Sequence, residues 1–155
     1  MSFLNTVNII GSGLTAQQLR LDIVAENVTN SQTTRTENGD GAYRRKLVVF
    51  QSVSGRDSFR DAMARAAAGI VPNAGVNPNA GGVRVTQIVE DESPMKIVYD
   101  PTHPDADEDG YLEMPNVDMV KEIADAMAAS RAYASNVTAF NTLKSVISSG
   151  LEIGR

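Results

Sequence analysis

The chain contains no cysteine and no tryptophan, and its single histidine is His103. Without cysteine there can be no disulfide, no thiolate zinc site and no thiol nucleophile. One imidazole removes most histidine-based acid–base chemistry and any histidine-rich metal site. Aromatic residues are scarce, four Phe and four Tyr in 155 residues, so the bulky anchors of a thick globular core are few. Ala, Val, Ser, Thr and Asn are plentiful instead, which suits thin helical packing. No apolar run approaches the ~20 residues needed to span a bilayer. The opening Met1-Ser2-Phe3-Leu4-Asn5 has neither the basic start nor the continuous apolar stretch of a cleavable signal peptide. Any export is therefore expected by a route that reads no such signal. The net charge of −5 argues against general nucleic-acid binding.

Two segments carry helical periodicity. From Phe3 to Asn30, Val7, Leu14, Leu21 and Val28 recur every seven residues, and Leu4, Gly11, Gln18 and Ala25 form a companion track. Gly11 and Gly13 weaken the first half by about 1 kcal/mol each relative to Ala, and they let another backbone approach closely. From Val117 to Ile153 a second helix is predicted, with Asn116 as its N-cap and Asp118 in its first turn. Its stripe runs through Ile123, Ala126, Ser130, Tyr133, Val137, Phe140, Lys144, Ile147 and Leu151. An uninterrupted heptad seam needs something to bury it. Periodicity does not identify the partner, so an intramolecular hairpin and packing against other chains both stay open.

The middle differs. Tyr43–Gln51, Val83–Val89 and Met95–Tyr99 read as strands, and Asn38-Gly39-Asp40-Gly41 is a turn. Ser58–Arg65 fits a short helix, and Pro72–Gly82 has the composition of a flexible loop. Charge divides sharply. Residues 35–65 carry seven Arg/Lys against four Asp/Glu, whereas residues 90–113 carry nine Asp/Glu against one Lys. Such faces are either solvated or paired within the chain, or complementary head to tail between copies.

Little in the chain could do chemistry. Asp105, Asp107 and Asp109 followed by Gly110 match the start of a calcium loop. The twelfth position, however, is Asn116 where a bidentate Glu is needed, and Pro101 and Pro104 occupy the place of the entering helix. These carboxylates are a weak metal candidate, better read as an acidic turn before a helix. Gly11-Ser12-Gly13 lacks the third glycine and the preceding strand of a dinucleotide fingerprint. The sequons at Asn27 and Asn136 fall inside predicted helices. His103 lies beside no credible nucleophile.

Four ordered blocks resemble the flagellar basal-body rod proteins. They are Gly13-Leu14-Thr15-Ala16-Gln17 with Ala25-Glu26-Asn27-Val28-Thr29-Asn30; Tyr43-Arg44-Arg45-Lys46 with Val48-Val49-Phe50-Gln51; Val98-Tyr99-Asp100-Pro101 through His103-Pro104-Asp105-Ala106-Asp107 to Gly110-Tyr111 and Pro115-Asn116-Val117; and Ser130-Arg131-Ala132-Tyr133 with Asn136 and Leu143-Lys144. The resemblance, strongest to the proximal members of the family, implies a structural subunit and not an enzyme. It implies export through the flagellar type III apparatus, assembly with other rod subunits and copies of itself, and an indirect relation to the membrane-embedded ring. The site would be the basal body, in the cell envelope or periplasm. Terminal helices would form an inner coiled-coil layer, with the β-rich part outside. One departure is that residues 52–82 read as longer and richer in Ala, Gly and Asn than the family pattern.

The expected fold is α+β, mainly α: long N- and C-terminal helices in a coiled-coil-like pair, with a small β-rich central domain. Residues 1–35 and 115–155 would form the helical axial domain, and residues 36–114 the central domain with a flexible insertion at 52–82. The expected assembly interface is Val7, Leu14, Leu21, Val28, Ile123, Tyr133, Val137, Phe140, Ile147 and Leu151. No cofactor, nucleic acid or small-molecule substrate is expected. The alternatives are another flagellar axial protein and a calcium-responsive binding module.

Overall fold

The computed structural model describes residues 3–36, 41–53, 63 and 81–153. Helix α1 spans Phe3–Thr29 and helix α2 spans Met119–Ile153. Between them lie strands β1 (Lys46–Ser52), β2 (Val83–Glu90), β3 (Lys96–Tyr99) and β4 (Tyr111–Met114). Among the described residues these make two antiparallel pairs, β1 with β2 and β3 with β4. The expected class, mainly helical α+β with a small central β region, is the one observed. No described helix is long and apolar enough to cross a membrane.

Both helices match the predicted periodic segments to within a few residues. The cap of α2 differs. Asp118, not Asn116, fills it, its Oδ1 accepting the Val120 N–H at 3.0 Å. Asn116 instead clips strands together. Its Oδ1 accepts the Arg45 N–H at 2.8 Å, and its Nδ2 donates to the carbonyls of Asp91 and Ser93. Strand β4 was not anticipated, because its four residues follow an acidic, turn-rich stretch. Strand β1 starts three residues later than predicted, since the Tyr43 N–H is drawn aside to the Thr33 carbonyl at 3.0 Å. The helix expected at Ser58–Arg65 lies outside the described residues except for Met63, which is helical.

The helices form an antiparallel hairpin, with Gly13 opposite Asn136, Arg20 opposite Asp125 and Asn27 opposite Glu122. The helices approach closely at Gly13, where a Cβ would sit 2.9 Å from Asn136 Nδ2 and would have to shift that side chain. The β1–β2 ribbon lies along α1. At one end the Lys46 backbone bonds Asn27; at the other the Val83 N–H donates to Ser12 Oγ at 3.1 Å. The lengths agree: the stretch of α1 from Ser12 to Asn27 rises about 22 Å, and six steps of β1 cover about 20 Å. Gly82, with φ of 124°, makes the close approach possible; a Cβ there would lie 2.7 Å from Ser12 Oγ.

Candidate assembly surface

The centre of the molecule is polar. Glu122 is 0% exposed and Asn27 1%, and with Pro115 they are the largest fully buried side chains. Asn27 uses its whole amide. Its Nδ2 donates to the Lys46 carbonyl at 2.9 Å and to Glu122 Oε2 at 3.0 Å. Its Oδ1 accepts from the Lys46 N–H and from Tyr43 Oη, each at 2.9 Å. Two donors and two acceptors are thus satisfied, and the reversed amide would set oxygen against oxygen. Burial, with the nearby Glu26, Glu122 and Glu90 carboxylates, pushes the Tyr43 phenol up to about 12.

Arg45 binds the other side of Glu122 through its Nε at 2.6 Å, and its terminal nitrogens reach Asp91 at 3.5 Å and Asp125 at 3.4 Å. Arg20 closes the chain onto Asp125 at 2.7 Å. Burial alone would lower the Arg45 pKa, but the Glu122 hydrogen bond and charge, with Asp91 and Asp125, hold it above its ordinary value. Asp91 is held below the usual carboxylate range, first by Ser93 and then by Arg45. Two guanidinium groups meet three carboxylates here, and each carboxylate has a cationic partner, so the network joins α1, β1, the β2–β3 connection and α2 with no charge left unpaired. Among the described residues only Gln17 Oε1 is a buried side-chain polar atom lacking a partner.

This junction was not foreseen. Sequence alone places Tyr43, Arg45 and Lys46 in a strand, Asn27 in a sequon and Asn116 at a helix cap, brings none of them together, and does not single out Glu122. One signal was present: Glu122, Ala129 and Asn136 recur every seven residues, as apolar seam residues do.

The surface of the hairpin is where the predicted assembly residues fall. At about 100° per residue, the stripe Val7, Leu14, Leu21, Val28 points roughly a third of a turn away from the buried row Ala16, Ile23, Val24, Asn27. All four stripe residues stay half-buried at the edge of the contact. On α2 the row against α1 is Glu122–Ala129–Asn136, one residue behind Ile123–Ser130–Val137. Ile123, Phe140 and Leu151 are exposed, and Tyr133, Val137 and Ile147 half-buried. A shallow groove between the helices exposes Leu14, Gln18 and Leu19 beside Tyr133. Between Arg131 and Lys144, α2 carries no charged residue although much of it faces solvent.

The acidic turn has a different use from the calcium reading. Asp105 accepts the Thr34 hydroxyl at 2.9 Å and pairs with Arg35 at 3.1 Å. It therefore ties the segment after α1 to the β3–β4 turn. Asp107 and Asp109 stay exposed. Among the described residues no three carboxylate or imidazole groups gather as a metal would need.

Sequence comparisons give two family matches. Residues 8–35 match the model described as flagella basal body rod protein, and residues 108–153 the C-terminal model of the flagellar basal body rod FlgEFG proteins. Over whole chains, the sequence is 41% identical to the flagellar basal-body rod protein FlgC of Bacillus subtilis, covering 100% of both. It is 39% identical to that of Escherichia coli O157:H7, again over 100% of both. It is also 39% identical to that of Borreliella burgdorferi, over 99% of this chain and 98% of that one.

Proposed function

The chain belongs to the FlgC family of flagellar basal-body rod proteins, and from that premise we propose that it is a structural subunit of the proximal rod. It assembles with copies of itself and other rod subunits, transmits torque mechanically and has no active site. The observation that carries this reading is the misalignment on α1. The heptad stripe Val7, Leu14, Leu21, Val28 is not the face that the hairpin buries, so it is available to helices of neighbouring subunits. The uncharged outer face of α2 supports the same reading, because an Ala-, Ser- and Thr-rich helix surface permits close approach of another helix, whereas a helix meant for water usually carries charge.

In this reading the helices, residues 1–35 and 115–155, form the axial unit, and residues 36–114 form the outer one. The assembly contacts are Val7, Leu14, Leu21 and Val28 on α1 with Ile123, Tyr133, Val137, Phe140, Ile147 and Leu151 on α2. Passage through the flagellar export apparatus without a cleaved signal, residence in the envelope at the basal body, and an indirect link to the membrane ring belong to the same proposal. A non-enzymatic role fits a buried polar junction whose carboxylates and guanidinia are committed to one another.

Deletion of the gene followed by imaging of basal bodies tests the role: intact rods and normal motility would overturn it. Leu21→Glu and Phe140→Glu test the interface. Each side chain is at least partly accessible, so the variants should be exported and yet fail to enter rods. Normal incorporation would refute the interface assignment.

A further inference from the structure

Two apolar faces stay in solvent once the hairpin and both strand pairs have formed. On the β3–β4 ribbon, cross-strand partners share a face. This sets Ile97 with Glu113 and Tyr99 with Tyr111 on one side, opposite the buried Leu112. Ile97 is 69% exposed, and both tyrosines are exposed as well. Their rings meet edge to face with centroids 5.3 Å apart, which fixes the two rings relative to one another on this exposed face. The groove beside them is lined by Ile97, Asp107, Tyr111, Leu112 and Glu113. Its rim is acidic.

On α2, Val120, Ile123 and Met127 follow i, i+3, i+7 spacing and form one stripe. All three are exposed, Val120 at 76%. The stripe continues to Arg131, four residues beyond Met127. Arg131 is exposed and has no ion-pair partner among the described residues. The carboxylates of this end of α2, Glu122 and Asp125, are turned the other way onto Arg45 and Arg20. The stripe is therefore apolar with a basic end.

One chain thus presents an acid-rimmed apolar face and an apolar stripe that ends in a cation. Both are uncovered, so they do not cover each other within a single copy. We propose that the β3–β4 face of one copy docks on the Val120–Arg131 stripe of a second copy. The dimensions suit: four residues of ribbon extend about 13 Å, and the stripe extends about 16 Å. Opposite charges at the rims set register and orientation, as in other complementary interfaces. The contact is heterologous, joining two different patches, and repeats into an open array instead of closing as a dimer. It rests on the self-assembly reading above but is testable on purified protein, so its failure and the failure of the rod assignment are distinguishable.

The absence of native cysteine makes the test clean. Ile97→Cys and Ile123→Cys are prepared separately, one carrying a mass tag, then mixed at high concentration and oxidised. Both positions are exposed, so neither change should disturb the fold, which circular dichroism checks. The mixture should yield tagged–untagged disulfide dimers about tenfold in excess over either variant alone. Adding Arg131→Glu to the Ile123→Cys chain should cut that yield about tenfold, and Glu113→Lys in the Ile97→Cys chain should restore it. Self-dimers as abundant as mixed dimers, no cross-link at all, or indifference to Arg131→Glu would each overturn the proposal.

Discussion

Replacing Asn27 with alanine removes the one side chain that bonds β1, Tyr43 and α2 together. Four hydrogen bonds are lost at a residue 1% exposed. Glu122 keeps Arg45, so the groups stranded are the Lys46 N–H, the Lys46 carbonyl and the Tyr43 hydroxyl. Each buried polar group left unpaired costs about 1–3 kcal/mol, and water entering the small space left by the amide offsets part of it. Together they bring the expected loss to about 3–5 kcal/mol, a large share of the ~5–15 kcal/mol that holds a domain folded. With a urea slope of about 2 kcal/mol per M, the midpoint followed by far-UV circular dichroism should fall by roughly 1.5–2.5 M. Asn27→Asp keeps both acceptor bonds but turns a carboxylate toward Glu122 and the Lys46 carbonyl. Its folded-state pKa should therefore rise above the unfolded value. The folded variant then holds its proton more tightly, so stability is highest below the unfolded carboxylate pKa and falls as pH rises through the folded one. A loss below about 1 kcal/mol for Asn27→Ala, or a pH-independent Asn27→Asp deficit, would show that the amide is not the clamp described.

Tyr43 offers an independent probe of the same junction. Its phenol is pushed up to about 12, so its contribution is fully present below the unfolded value of about 10 and is lost as pH rises toward 12. Absorbance at the phenolate band should show one of the four tyrosines titrating late. Tyr43→Phe should remove that step and the matching slope in alkaline stability; four tyrosines titrating alike would contradict it. The two glycines of α1 should behave oppositely. A Cβ at Gly11 meets nothing within 4 Å, so Gly11→Leu should stabilise the isolated chain by up to about 1 kcal/mol yet block incorporation into rods, because Gly11 shares the outward track of Leu4, Gln18 and Ala25. Gly13→Leu must displace Asn136 and should cost about 1–3 kcal/mol through overpacking. Thermal melts of the monomers and rod assembly in cells separate the two effects.

Much of this fold is legible in the sequence because long helices write themselves as periodicity. Phe3–Thr29 and Met119–Ile153 follow from seven-residue recurrence and from proline before the second helix. Strands β1 and β2 follow from β-branched runs. Strand β4 does not, since Tyr111-Leu112-Glu113-Met114 is too short to show alternation and gains its order from pairing with β3. The polar junction is illegible for a different reason. Hydrophobic periodicity weights bulky apolar residues, and the row of α2 that touches α1 is Glu122, Ala129 and Asn136. A search for apolar stripes passes over it and selects Ile123 and Val137, one position on. That periodicity leaves both hairpin and assembly open has a physical origin here: two stripes overlap on each helix, one serving the chain itself and one left at its edge.

That double use bears on how a rod subunit could carry load. A hairpin held only by apolar contact can slide by one heptad at modest cost, because equivalent residues recur every seven positions. Asn27, with its full set of bonds to Glu122, Tyr43 and Lys46, has one satisfied position and no equivalent a turn away. Arg45 adds direction, fastening the start of β1 to Glu122, Asp125 and Asp91 at once. Sliding the helices or rotating the β part would break several of these bonds together and leave buried charge unpaired, at about 3–5 kcal/mol for a single broken pair. Apolar stripes on the outside can then be spent on neighbours, since register inside the subunit does not depend on them. On this reading Arg45→Ala should soften the rod, seen as motors that assemble and turn but lose speed under viscous load, before it prevents assembly. An Arg45→Ala strain with unchanged torque at high load would place the stiffness in the subunit contacts instead.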